Sequence, residues 1–250
     1  MKTLLDAVFG RGGLTARFQP VVDVDETPFR ECYVEGLVSG PARTNLESAD
    51  VLFSYIRRKR EVVRMDRLCV ATIVAAARSL PSGTQLGINV DAQTLVVDGG
   101  FPRYLSDIAA LGGFRPSQIV VEIVEHTCPS DAAAFRAAVA ALREIGARIA
   151  LDDVGCAHSN YRMMLETRPD FFKIDRYFVH GVHGDPLRQE ILRSIAGLAR
   201  SFGARVVAEG VERESDLAAV RAAGIDLVQG YLMTPLLAQR AIESEEANQC

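Results

Sequence analysis

Two adjacent carboxylates, Asp152 and Asp153, follow an apolar run at residues 149–151 and precede Gly155. A buried strand does not carry charge along its length, so we expect the pair where a strand ends and the backbone leaves the core. Neighbouring carboxylates repel each other unless cations share their charge, which makes a divalent metal ion a natural partner. A plain Asp-Asp-x-Gly turn is the alternative that this stretch leaves open.

Polar residues also end the other apolar runs of the chain. Taken singly, each is also typical of a capping or loop residue. Together, oxygen donors from separate strands would make a cage for Mg²⁺ or Mn²⁺. Two ions about 4 Å apart activate water for an in-line displacement at phosphorus, and a lysine beside them could orient or deprotonate that water. The strand-ending residues are Glu35, Asn89, Glu122, Asp152, Asp153, Lys173, Asp175, Glu209 and Gln229.

The elements that would position these residues alternate along most of the chain. Two early strands, at residues 17–24 and 30–38, are separated by a short turn that favours an antiparallel hairpin. Helical spacing of apolar residues follows at 48–60 and 61–79. Later strands are predicted at 85–90, 119–125, 148–153, 170–175, 204–210 and 226–231, and helices at 130–145, 186–202, 212–223 and 235–245.

Alternating strands and helices imply parallel pairing, and eight strands fit a closed (β/α)8 TIM-like barrel with an irregular, antiparallel first strand. We expect residues 1–250 to form a single barrel domain, with an open doubly wound sheet as the runner-up. Active sites of such barrels gather at the carboxyl ends of the strands, where the polar residues would meet. No G-x-G-x-x-G motif or P-loop follows a strand.

Composition narrows the classes of function. The net charge of −4 over 250 residues argues against a nucleic-acid-binding surface. Five widely spaced cysteines suggest neither a disulfide framework nor a zinc site. No signal peptide or membrane-spanning run is evident, so we expect a cytoplasmic protein that binds neither nucleic acid nor membrane. The basic run at residues 57–60 favours a solvated helix end over an anion site.

Eight motifs in order carry a resemblance to a known family. They are Gln19-Pro20, Glu35-Gly36-Leu37, Asn89, Glu122-Ile123-Val124-Glu125, Asp152-Asp153-Val154-Gly155, Lys173-Ile174-Asp175, Ala208-Glu209-Gly210-Val211-Glu212 and Gln229-Gly230-Tyr231. This series resembles the signature of EAL-domain cyclic di-GMP phosphodiesterases over nearly the whole chain. The resemblance implies an EAL-type barrel that hydrolyses cyclic di-GMP to linear pGpG with two Mg²⁺ or Mn²⁺ ions, as a homodimer that a regulatory protein partner could control.

The resemblance also implies a role for each matching residue. One metal ion would be held by Glu35, Asn89, Glu122 and Asp152, and the other by Asp152, Asp153 and Glu209. Lys173 would position the attacking water, with Gln229 supporting it. Glu125 would steady the loop that follows Asp153, and Asp175 would lie near the site. Substrate contacts would come from Gln19, Glu35 and Leu37.

Three departures from the family pattern bear on activity. Gly36 replaces the alanine of Glu-Ala-Leu, and we expect the loss of one methyl group to be tolerated. Ser39 replaces an arginine that contacts a substrate phosphate, which weakens binding. Ala157 replaces a glycine within an altered loop at 154–160, where a positive φ would be strained. The alternatives are therefore a weak or inactive EAL-like cyclic di-GMP receptor, a protein-interaction module, or a barrel enzyme acting on another phosphorylated small molecule.

Overall fold

Eight strands follow one another around a closed barrel in the computed structural model, which describes residues 3–10, 12–25, 29–124, 129–156 and 161–233. The closed barrel confirms the predicted (β/α)8 architecture and excludes the open doubly wound sheet. The strands are β1 (Thr15–Asp23), β2 (Glu31–Ser39), β3 (Leu86–Asp91), β4 (Ile119–Val124), β5 (Arg148–Val154), β6 (Phe171–Ile174), β7 (Arg205–Ala208) and β8 (Leu227–Gln229).

The first strand runs against its neighbour. β1 pairs with β8 in antiparallel register, with Val21 opposite Gln229. In contrast, β3 pairs with β4, and β5 through β8 pair in turn, in parallel. The predicted antiparallel first strand is therefore confirmed. Because the strands within each of these two groups run parallel, the polar residues near their carboxyl ends lie at the same end of that group.

Ten α-helices are present in the part of the chain that the structure describes. Asp131 and Asp185 cap the helices that follow them by accepting backbone hydrogen bonds. The predicted helix at 235–245 lies outside the described residues. The helices are α1 (Leu4–Val8), α2 (Ala49–Lys59), α3 (Val62–Ala76), α4 (Ala92–Val97), α5 (Phe101–Gly112), α6 (Ala132–Glu144), α7 (Tyr161–Thr167), α8 (Arg176–Val179), α9 (Pro186–Ser201) and α10 (Glu214–Ala222).

The chain divides into two compact units. The first comprises residues 1–18, 36–80 and 86–147, and its core includes Leu52, Ile73 and Phe101. The second comprises residues 19–35, 81–85 and 148–250, with a core that includes Leu151 and Phe172. A single domain over residues 1–250 stays a prediction. Within the described ranges, every helix is too short or too polar to cross a bilayer.

Candidate functional site

A buried lysine is the centre of the polar cluster in the second unit. Lys173 lies within the four-residue strand β6 and is 1% exposed. Its Nζ lies 2.6 Å from Glu209 Oε1, 3.1 Å from Glu35 Oε2 and 3.4 Å from Asp152 Oδ1. A buried charge is costly unless opposite charges compensate it. The lysine and its three carboxylates therefore depend on one another for burial.

Gln229 and Gln19 extend this cluster. Gln229 Nε2 donates to Glu35 Oε2 over 2.6 Å and to Gln19 Oε1 over 3.2 Å. The Glu35 carboxylate thus receives two donors, one from β6 and one from β8. Gln229 Oε1 is buried and accepts no hydrogen bond within the described part of the chain. A buried amide oxygen in this state is suited to a ligand or water that donates to it.

The two aspartates lie inside β5 rather than beyond its end. We expected them at the end of a strand predicted at residues 148–153, and β5 continues one residue further, to Val154. The pairing of β5 with β6 shifts register between Leu151 and Val154, and Asp153 has a φ of 53°. In a regular strand neighbouring side chains point to opposite faces. The irregular backbone instead brings one oxygen of each aspartate within 4.8 Å of the other and of an oxygen of Glu209.

The electrostatics of this cluster show an excess of negative charge. Burial, together with the charges of Asp152 and Asp175, raises the pKa of Asp153 to about 6. Burial also raises the pKa of Glu209 to about 8, although the Lys173 ammonium opposes the rise. The pKa of Asp152 is raised by burial as well. One lysine does not offset these carboxylates, so the cluster fits a divalent cation with oxygen ligands.

The predicted ligands of the first unit are register partners. Asn89 in β3 lies opposite Glu122 in β4, and Glu122 is fully buried. Leu37, a predicted substrate contact, is half-buried in β2. The part that these three residues take in a site with Glu35 and Asp152 stays a prediction. Glu125 lies outside the described residues.

Asp175 has a clear local role. Its carboxylate accepts a hydrogen bond from the backbone N–H of Tyr177 over 2.8 Å and caps α8. Its charge also raises the pKa of Asp153, so a position near the site agrees with the structure. Within the altered loop, Gly155 has a φ of 100°, and a Cβ there would lie 2.7 Å from a ring carbon of Phe178. Ala157 and residues 158–160 lie outside the described residues.

Gly36 has a close neighbour that the sequence did not indicate. A Cβ on residue 36 would lie 2.4 Å from Ile73 Cγ2, closer than real Cβ contacts come. The space left by the methyl group that is missing from Glu-Gly-Leu is therefore filled by Ile73. Sequence reasoning missed Ile73 because a buried β-branched residue on an apolar helix face is typical of any core.

Comparisons with known proteins agree on one family. The model of the EAL domain matches residues 1–235. Cyclic di-GMP phosphodiesterase PdeF of Escherichia coli strain K12 is 31% identical over 160 residues, which are 64% of this chain and 21% of that protein. The chain thus spans about a fifth of the length of this curated relative.

Solved structures of Klebsiella pneumoniae BlrP1 are also similar. Its complex with calcium and cyclic di-GMP has a TM-score of 0.78 and 29% identity, covering 88% of this chain and 55% of that one. Its complex with manganese and cyclic di-GMP has a TM-score of 0.77 and 28% identity, covering 90% and 56%. The fold of this chain is thus similar to that of structures that hold divalent cations and this ligand.

Proposed function

The chain belongs to the EAL domain family, and we propose that it is a phosphodiesterase that hydrolyses cyclic di-GMP to linear pGpG with two bound Mg²⁺ or Mn²⁺ ions. One observation carries the proposal most: the buried Lys173 ammonium touches three carboxylates, beside the close oxygens of Asp152, Asp153 and Glu209. The carboxylates of this cluster outnumber its one ammonium, as expected of a site that binds cations.

The proposed ligands follow the family pattern. Asp152, Asp153 and Glu209 would hold one ion, and the oxygens that lie within 4.8 Å of one another support this set. The other ion would be held by Glu35, Asn89, Glu122 and Asp152. When bound, such cations lower the proton affinity of water and stabilise negative charge at phosphorus.

The side chains of this protein would orient the reactants. In the reaction, water adds to one phosphorus, one ester P–O bond breaks, and the ring opens to a chain with a terminal phosphate and a free hydroxyl. Lys173 would donate to the attacking water, and the contacts of its ammonium with the carboxylates around it support this role. Gln229 would hold Glu35 and the same water, while Gln19 and Leu37 would contact the substrate.

A turnover assay tests this proposal. Purified protein is incubated with cyclic di-GMP and Mn²⁺ or Mg²⁺, and pGpG is quantified by chromatography. We expect product with either ion, none after chelation, and none from Lys173→Ala or Glu35→Ala. Lys59→Ala, on the exposed end of α2, is the matched control and should retain activity. Intact substrate under conditions where a known phosphodiesterase is active would contradict the proposal.

One departure favours a second candidate function, binding without efficient turnover. Ser39 ends β2 where the family has a phosphate-binding arginine, and serine brings no charge to that position. Calorimetry that detects saturable cyclic di-GMP binding, with no pGpG formed, would favour this receptor.

Assembly and location are further parts of the proposal. We expect a cytoplasmic homodimer that a protein partner could regulate, as the family resemblance implies. Cys32, Cys69 and Cys156 are free, in agreement with a reducing compartment. Light scattering of the purified chain measures the oligomeric state directly, and a monomer at all concentrations would refute the dimer.

A further inference from the structure

The contact between Gly36 and Ile73 lies one residue from Glu35. Ile73 is 1% exposed near the C-terminal end of α3, and Gly36 is buried in β2. A Cβ on residue 36 would lie 2.4 Å from Ile73 Cγ2 and 3.1 Å from both Cγ1 and Cδ1. The strand can approach the helix this closely because residue 36 has no side chain.

Ile73 cannot move aside cheaply. A β-branched side chain on a helix has one strongly preferred χ1 rotamer, so its Cγ2 position is set by the backbone of α3. The next residue, Val74, packs closely against α5, since a Cβ on Gly112 in α5 would lie 2.2 Å from Val74 Cγ1. The helix is thus held against α5 while it contacts β2.

Small shifts of β2 would change the lengths of the hydrogen bonds that the Glu35 carboxylate accepts. Its carboxylate accepts a hydrogen bond of 2.6 Å from Gln229 and one of 3.1 Å from Lys173. Hydrogen bonds weaken steeply as distance and angle depart from these values. We infer that Ile73 is a positioning residue for Glu35. Its side chain limits how closely β2 approaches α3 at Gly36, and this contact holds the neighbouring Glu35 carboxylate in place.

This inference deepens the proposed function, because Glu35 is a proposed metal ligand. We expect Gly36→Ala to lower the apparent Mn²⁺ affinity and kcat by about tenfold or more, since a small displacement of a reacting group has effects of this size. KM for cyclic di-GMP should change less. Gly36→Ala combined with Ile73→Ala should recover much of the loss, because the truncated side chain leaves room for the new methyl group.

Two single variants separate positioning from stability. Val74→Ala removes a similar volume from the same helix but does not touch Gly36, so it should lower the Tm while keeping the Mn²⁺ affinity within about twofold. Ile73→Val keeps both Cγ atoms and should behave like the parent. Equal loss of Mn²⁺ affinity in Val74→Ala and Gly36→Ala, or no recovery in the double variant, would overturn the inference.

A structural measurement distinguishes failure of this inference from failure of the proposed function. In crystal structures, the distance from Gln229 Nε2 to Glu35 Oε2 should lengthen by about 0.5 Å or more in Gly36→Ala and return towards the parent value in the double variant. This measurement needs neither metal nor turnover. An unchanged distance overturns the positioning role even if the parent hydrolyses cyclic di-GMP, whereas an inactive parent with the expected shift overturns only the proposed activity.

Discussion

Two regions of the molecule bury carboxylates in opposite ways. In the first unit, Asp66 of α3 is 4% exposed and accepts hydrogen bonds from Thr94 Oγ1 over 2.5 Å and from the backbone N–H of Asp91 over 3.0 Å. In the second unit, Glu35, Asp152 and Glu209 share one lysine. The first carboxylate is satisfied by neutral donors, and the second group carries surplus negative charge.

The difference separates a structural acid from a site for cations. Burial raises the pKa of Asp66 to about 7, so a single proton is enough to neutralise it. Protons could also neutralise the cluster around Lys173, but three close oxygen ligands make a divalent ion the better partner. Surplus charge at a point where several strands meet is therefore the feature that marks the site.

Among the changes that test this difference, replacing Lys173 should have the largest effect on turnover and stability. Lys173→Met leaves the buried Glu35 and the partly buried Asp152 and Glu209 without their ammonium, and we expect turnover to fall by about 10³-fold or more. The protein should also lose about 3–5 kcal/mol of stability in chelator, as expected when one partner of a buried ion pair is removed. Thermal unfolding with and without Mn²⁺ measures the second effect. Unchanged stability in chelator would mean that the lysine does not compensate the cluster.

Metal binding should stabilise the cluster and leave Asp66 unaffected. At a concentration of Mn²⁺ about 100-fold above Kd, the parent should gain about 2.7 kcal/mol of unfolding free energy. Asp153→Asn should lose most of this gain, because one ligand of the proposed ion becomes a neutral amide. Asp66→Asn serves as the matched control and should keep the full gain. Equal gains in all three proteins would place the ion elsewhere.

Asp66 should make stability depend on pH in a direction opposite to that of a salt-bridged carboxylate. Its folded pKa of about 7 lies above the ordinary aspartate pKa of 3.8. Between these values the folded state binds a proton that the unfolded state lacks, so stability should fall as pH rises from 4 to 7, by up to about 1.4 kcal/mol per pH unit. Asp66→Asn should flatten this slope in urea titrations. The same slope in both proteins would show that another group is responsible.

The smallest effect is expected from a single donor to Asp66. Thr94→Val removes a hydroxyl that donates to a buried carboxylate, and we expect a loss of about 1–3 kcal/mol at neutral pH. The loss should shrink at pH 4, where Asp66 is protonated. Turnover should stay within about twofold of the parent, since the hydrogen bond that is lost involves Asp66 and none of the cluster around Lys173. A large loss of turnover would show that the two regions are coupled.

Much of the fold could be predicted because its signals are local. Apolar runs ending in polar residues mark β5 and β7, and Gly146, Gly203 and Gly224 all have positive φ just past helix ends. The predicted site residues Glu35, Asp152, Lys173 and Glu209 meet in the structure. A metal site could be predicted from these residues taken together, because hard oxygen donors that recur at strand ends are the ligands that divalent cations prefer.

The sequence by itself determined the order of the strands, the polar residue at the end of each one and the glycines that allow the turns, since these depend on neighbouring residues. Only the tertiary structure decided which of those residues lie in contact with one another. Three features arise from packing between distant segments. They are the irregular backbone of β5 that brings oxygens of Asp152 and Asp153 close together, the hydrogen bond from Gln229 to a glutamate 194 positions away, and the contact of Ile73 with Gly36. Close packing couples such segments in space, and no local pattern of residues records that coupling.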